Sequence, residues 1–185
     1  MTGPPRGALT LSASVLLKEL KSQIKVGTPV LDMTKPPARM TDIVTAIWDT
    51  GATGSVITQA VVDQLGIQPI TMTMVHGVAS QKMTPVYLVD FYLPMNVCVT
   101  GLNVTLGELV AADALIGMDV ISQGDFVVTN LGGKTKMSFR VPSLVETDFV
   151  KEAAEVQKAS KPPLANRKQR RAQQKAAAKR PRPRP

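Results

Sequence analysis

The stretch Thr45-Ala46-Ile47-Trp48-Asp49-Thr50-Gly51-Ala52-Thr53-Gly54-Ser55-Val56-Ile57 decides how this chain is read. An apolar run, Ile43 to Trp48, stops at Asp-Thr-Gly, and a second short run, Ser55 to Ile57, begins just beyond it. A carboxylate at a strand end can activate water, a small hydroxyl can bond backbone across an interface, and glycine permits a loop too tight for side chains. The triplet alone says little, because Asp and Gly are default turn residues. Its surroundings therefore carry the argument.

Working outward, a third apolar run, Ala60 to Leu65, ends at Gly66. Further strands are expected at Ile70 to Val75, Thr84 to Leu93, Val97 to Val99, Val104 to Leu109, Phe126 to Thr129 and Thr135 to Val141. Turn residues separate them: His76-Gly77, Pro94 to Asn96, Thr100-Gly101, and Asn130 to Gly133. Many short strands at close spacing predict an all-β barrel or sandwich and not alternating βα units. Upstream, Leu9, Leu11, Ala13, Val15 and Leu17 alternate as a strand would, while Val15 to Ile24 suits a short helix equally well. Pro29 and Pro36-Pro37 mark residues 28 to 40 as loop or linker.

After Pro142 the pattern turns helical, with Ser143 and Glu146 at capping-box spacing and an Ala/Glu/Lys-rich stretch to about Ala159. Pro162-Pro163 stop it. Asn166 to Arg180 is basic with almost no apolar face, and Pro181 to Pro185 alternate with arginine, so this tail is expected to be disordered or only partly helical. Three parts are expected: residues 1–39 as an N-terminal extension and linker, 40–142 as the domain, and 143–185 as helix and basic, Pro/Arg-rich tail.

Within residues 40 to 142 the Asp49 segment resembles the active-site stretch of retropepsins, the retroviral-type aspartic proteases. Ala114-Leu115-Ile116-Gly117-Met118-Asp119 resembles that family's two-hydrophobics-then-glycine motif, which packs beside the catalytic loop. Met74-Val75-His76-Gly77-Val78-Ala79-Ser80 resembles its flap hairpin, though a solvent-exposed hairpin tip reads equally well there. His76 is read as a turn residue with no part in proton transfer. Leu115 to Asp125, with Gly133-Lys134-Thr135 and Ser138-Phe139-Arg140, looks especially like retropepsin-like proteins of bacterial or phage origin. Two departures stand out: Thr53 occupies the position of a usual acidic residue, and Met118 that of the arginine that pairs with it. The support that pair gives the retroviral dimer is missing, although losing both partners is easier to tolerate than orphaning one buried charge.

The resemblance implies a retropepsin-like, closed or partly open β-barrel protomer with an active-site loop and a flap, and an aspartic endopeptidase activity. Asp49, Thr50 and Gly51 are the implied catalytic residues; Ile47, Ala52, Gly77, Val78, Ile116 and Gly117 are the expected substrate contacts. Such chemistry needs two carboxylates, and no second Asp-Thr-Gly or Asp-Ser-Gly occurs. A two-fold axis bringing Asp49 beside Asp49 of a second copy would supply it, so the expected partners are the chain itself, as an obligate homodimer, and a polypeptide substrate.

The formal charge of +8 is unevenly spread: residues 1 to 39 sum to +4, residues 40 to 148 to −6, and residues 149 to 185 to +10. The acidic middle argues against a basic nucleic-acid-binding domain. Arg167 to Arg184 could still bind nucleic acid without sequence preference, or an acidic partner, and with no aromatics to stack bases that binding would be salt-sensitive. The competing reading is a catalytically silent dimerisation module carrying that tail. With one cysteine, Cys98, and one histidine, His76, neither a disulfide framework nor an ordinary zinc site can form within the chain. No cofactor or metal is implied. No apolar run is long enough to span a bilayer, and a cytoplasmic setting is expected.

Overall fold

A computed structural model describes residues 7–32, 34–76 and 81–160, in two units that divide between Val145 and Glu146. The first unit is built almost wholly of strands. In chain order these are β1 (Gly7–Ser12), β2 (Leu20–Gly27), β3 (Val44–Trp48), β4 (Val56–Ile57), β5 (Thr71–His76), β6 (Gln81–Leu93), β7 (Val97–Leu106), β8 (Ala114–Ile116), β9 (Asp125–Thr129) and β10 (Lys136–Val141). Two short helices interrupt them, α1 (Gln59–Leu65) and α2 (Met118–Ile121).

Seven strands form one sheet in the order β2-β3-β8-β4-β7-β6-β5, and β2 also pairs with β6 through Lys25↔Tyr92, Val26↔Phe91 and Gly27↔Asp90. That extra pairing closes β2 through β6 into a ring and leaves β5 as an edge strand. The expected barrel is therefore present. Beyond the closure, β5 and β6 run on as a hairpin, paired from Thr71↔Val86 to His76↔Gln81. The flap tip, with Gly77 and Val78, lies outside the described residues.

A second, three-stranded sheet is ordered β1-β10-β9. Residues 7–27, expected to precede the domain, thus supply β1 to this sheet and β2 to the barrel. Between them the open question of strand or helix resolves as neither for residues 13–17, which wrap Thr135. Ala13 N–H donates to the Thr135 carbonyl, Thr135 N–H to the Val15 carbonyl, and Leu17 N–H to Thr135 Oγ1.

Alternation places one face of each strand in a shared core, where Val26, Ile57, Val89, Phe91, Val104, Ile116, Leu9, Met137 and Phe139 are fully buried. Each such side chain contributes about 1.5–3 kcal/mol by leaving water. Ala60 to Leu65, an apolar run among expected strands, is helix α1. Its buried residues are Val61, Val62 and Leu65, a helical spacing, and Gly66 ends it in the left-handed region, where glycine carries no steric penalty. Arg39 Nη1 covers the Leu65 and Gly66 carbonyls at 3.0 and 3.3 Å.

Thr100-Gly101, expected as a turn, lies inside the continuous strand β7. Val89 pairs with Leu102 and Phe91 with Val99, so one residue of β6, Asp90, faces two of β7. This is a β-bulge, with Gly101 at φ +69° supplying the backbone conformation it needs. The fully buried Asp90 carboxylate accepts the Gly101 N–H at 2.7 Å and the Val30 N–H at 2.9 Å.

In the second unit, α3 (Phe149–Ser160) begins six residues after Ser143. Asp148 caps it, with Oδ1 accepting the Val150 and Lys151 amides. Ser143, the expected capping-box residue, instead donates its hydroxyl to Asp125. The basic tail lies outside the described residues, and among those described no helix is long and apolar enough to cross a membrane.

Candidate active site

β3 delivers Asp49. Val44, Ala46 and Trp48 face the core, while Thr45 and Ile47 are half-buried on the other face. β8 runs parallel beside it in the register Ala46↔Ala114, Ile47↔Leu115 and Trp48↔Ile116. The Asp49 amide donates to the Ile116 carbonyl at 3.0 Å, carrying the ladder one residue past the strand.

There the chain turns. The Gly51 amide donates to Asp49 Oδ1 at 2.8 Å, which fixes the carboxylate over its own loop. A Cβ on Gly51 would sit 3.2 Å from that oxygen, so glycine keeps the approach clear. Asp49 is half-buried, and Thr50 and Gly51 are exposed.

The far side of the loop rests on the segment after β8. The Met118 amide donates to the Ala52 carbonyl at 2.9 Å and the Asp119 amide to the Thr53 carbonyl at 3.2 Å. Gly117 is buried against this loop, and a Cβ there would lie 2.6 Å from the Gly54 carbonyl and 3.0 Å from Ala52 O. No side chain fits, which is the physical reason for glycine after the apolar pair. Asp119 Oδ2 accepts the Ser55 amide at 2.9 Å, and its Oδ1 accepts Ser55 Oγ at 2.7 Å and the Val120 amide at 3.0 Å. Ser55 Oγ in turn accepts the Gly117 amide at 3.0 Å.

Of the residues expected at the site, Ile47, Asp49, Thr50, Gly51, Ala52 and Gly117 lie together in or directly against this loop. Ile116 does not reach the surface. It is fully buried, because it shares the inward face of β8 with Ala114. The residue on the opposite face is Leu115, half-buried between Ile47 and Val56 in a row across β3, β8 and β4. The register Ile47↔Leu115, which no local pattern in the sequence carries, is what selects Leu115. Asp119 and Ser55 were likewise not singled out as site residues; the acid beside the glycine motif was the available signal.

A cavity of about 770 Å³ opens elsewhere, between the start of α1 and the β5–β6 hairpin, walled by Thr58, Val75, Pro85, Leu106 and Leu109. Among the described residues, none of those expected at the site lines it.

Against known proteins, the segment that holds both the Asp49 loop and the Gly117 turn finds a counterpart. Residues 42–120 match the aspartyl protease family. The resemblance to aspartic proteases read from the motifs is thus borne out over the span that carries them. Similar solved structures include a retropepsin-like aspartic protease from Rickettsia conorii, at 10% identity over 76% of this chain and 98% of that chain, with a TM-score of 0.47. Others are the Simian Foamy Virus (mac) protease, at 16% identity over 56% and 92% with a TM-score of 0.38, and the retroviral protease-like domain of Ddi1 from Leishmania major, at 14% over 72% and 99% with a TM-score of 0.42. No curated protein matches the chain.

Proposed function

We propose that this chain is an aspartic endopeptidase, active as a homodimer in which two Asp49 carboxylates share one proton. The observation that carries the reading is the Asp49 loop itself: a half-buried carboxylate followed by the exposed Thr50 and Gly51, on a loop bonded at both ends to β8 and the segment after it. An exposed hydroxyl and glycine beside the acid leave room for a second copy of the same loop.

The chemistry then follows from the two protonation states. The ionised Asp49 takes a proton from water as the oxygen attacks the scissile carbonyl carbon, while the protonated Asp49 of the partner gives its proton to the carbonyl oxygen. The tetrahedral diol collapses when one hydroxyl returns its proton to a carboxylate and the amine nitrogen receives the other proton. The C–N bond breaks, and the pair again holds one proton. Thr50 would bond across the two-fold axis, and Gly51 would offer backbone to an extended substrate.

Ile47, Leu115, Val56 and Ala52 form the proposed apolar wall for substrate side chains, and Gly77 and Val78 are proposed as further substrate contacts. Ile116 and Gly117 act from below, by packing under the loop. A reducing, cytoplasmic setting suits a chain with a single thiol. The test is mass spectrometry of a peptide library incubated at mildly acidic pH with the wild type and with Asp49→Asn. Cleavage by the wild type alone is expected; equal cleavage by the variant would remove Asp49 from the mechanism.

A further inference from the structure

We propose that Ser55 and Asp119 are positioning residues for the Asp49 carboxylate, standing in for the ion pair that Thr53 and Met118 cannot make. Such a role rests on the proposed chemistry at Asp49. Its basis is a closed set of hydrogen bonds around a buried hydroxyl.

Ser55 is fully buried, and its Oγ both accepts from the Gly117 amide at 3.0 Å and donates to Asp119 Oδ1 at 2.7 Å. The Asp119 carboxylate also takes the Ser55 amide at 2.9 Å, and the Asp119 amide returns a bond to the Thr53 carbonyl at 3.2 Å. One residue thus grips the loop on both sides of Gly54, whose missing side chain leaves that stretch with the widest choice of backbone conformations. Met118 contributes only its amide, to Ala52 O at 2.9 Å.

Those bonds reach Asp49 through a short path. The Asp49 amide is tied to Ile116 O, the residue before Gly117, and the Asp49 carboxylate to the Gly51 amide, the residue before Ala52. The first tether ends one residue before Gly117, which Ser55 holds, and the second ends two residues before Thr53, which Asp119 holds. A carboxylate that must meet its symmetry mate is sensitive to displacement, since misplacement by about 1 Å can cost on the order of a hundredfold in rate. Asp119 touches neither water nor substrate in this scheme. It acts through Ser55.

The experiment is steady-state kinetics on a cleaved peptide for Ser55→Ala, Ser55→Thr, Asp119→Asn and the double variant Ser55→Ala/Asp119→Asn, with amide hydrogen exchange of residues 49–54 measured on each full-length chain. Ser55→Ala is expected to lower kcat by about ten- to a hundredfold with KM within about twofold, Ser55→Thr to restore most of it, and the double variant to fall no further than the worse single variant, because both changes act on the same Ser55–Asp119 contact. Exchange at residues 49–54 should quicken while that of β6 and β7 stays unchanged. An unchanged kcat in Ser55→Ala, or effects that multiply in the double variant, would overturn the proposal. A wild type that cleaves nothing would count against the proposed activity instead. The exchange data alone then decide: faster exchange confined to residues 49–54 supports the positioning role, and unchanged exchange removes it.

Discussion

The indole of Trp48 lies against the ring of Phe126 with centroids 5.5 Å apart and planes 16° from parallel, and Phe139 packs on it at 5.3 Å. Its Nε1–H donates to the buried Ser22 Oγ at 2.9 Å. The residue immediately before Asp49 is thereby bonded to β2 in the barrel and stacked on β9 and β10 of the smaller sheet. Stacking of this kind is worth about 0.5–1.5 kcal/mol beyond the area it buries. Phe126→Ala should destabilise the domain by about 2–3 kcal/mol, less than a fully buried phenylalanine would. Urea unfolding followed by the fluorescence of Trp48, the chain's single tryptophan, measures it directly.

Leu115 and Ile116 are adjacent in sequence and opposite in role. Ile116→Ala removes a fully buried side chain and should lower stability by about 2–5 kcal/mol. Leu115→Ala should cost under half as much and change which peptides are cut. Parallel thermal melts and peptide-library profiles separate the two, and a reversed pattern would mean that the faces of β8 are misassigned.

Asp90 is expected to matter for stability alone. Asp90→Ala leaves the Gly101 and Val30 amides without their acceptor at the β-bulge, a loss of about 3 kcal/mol for two hydrogen bonds to a charged group, with one amide re-solvated. The denaturation midpoint should fall, while the kinetic constants of the remaining folded protein stay at wild-type values.

Asp125 gives the domain an acid-sensitive point. The Ser143 hydroxyl, the Leu144 amide and the Arg140 guanidinium hold its carboxyl well below the usual carboxylate range. Because the unfolded chain binds this proton at higher pH than the folded one, the contribution is complete above about pH 4 and is lost as pH falls further. Asp125→Asn should be less stable than wild type at neutral pH, and the gap should close below about pH 4 in acid-unfolding curves.

Cys98 should behave as a slow thiol. Burial first, and the nearby Asp90 carboxylate second, push it up to about 11, so little thiolate exists near neutrality. At pH 8 the folded protein should react with iodoacetamide on the order of a hundredfold more slowly than the same chain in urea. Equal rates would show that the barrel opens readily around β7.

Much of this architecture was legible from local pattern. The strand-stop-strand reading around Asp49 and the Leu115-Ile116-Gly117 motif needed only residues adjacent in sequence, and the structure puts the two against each other. What escaped depended on partners elsewhere. Thr100-Gly101 has turn chemistry, yet the Asp90 carboxylate on the neighbouring strand turns it into a bulge. Ile116 and Leu115 are both apolar, and only the register against Ile47 and Val56 tells them apart. Ser143 had the spacing of a cap, but Asp125, 18 residues earlier, claims its hydroxyl. The tie between β1 and β10 left no local signal.

That last tie has a consequence for how the protein is made. Leu9 pairs with Phe139, so β1 finds its mate only after about 130 more residues have been added. At typical elongation rates the wait is on the order of ten seconds, during which Leu9 and Leu11 have no sheet to join. Contacts of such long sequence separation also slow folding once the chain is released. If the proposed activity holds, the nascent chain therefore carries its acidic loop long before it can use it, and neighbouring polypeptides on the same polysome are spared.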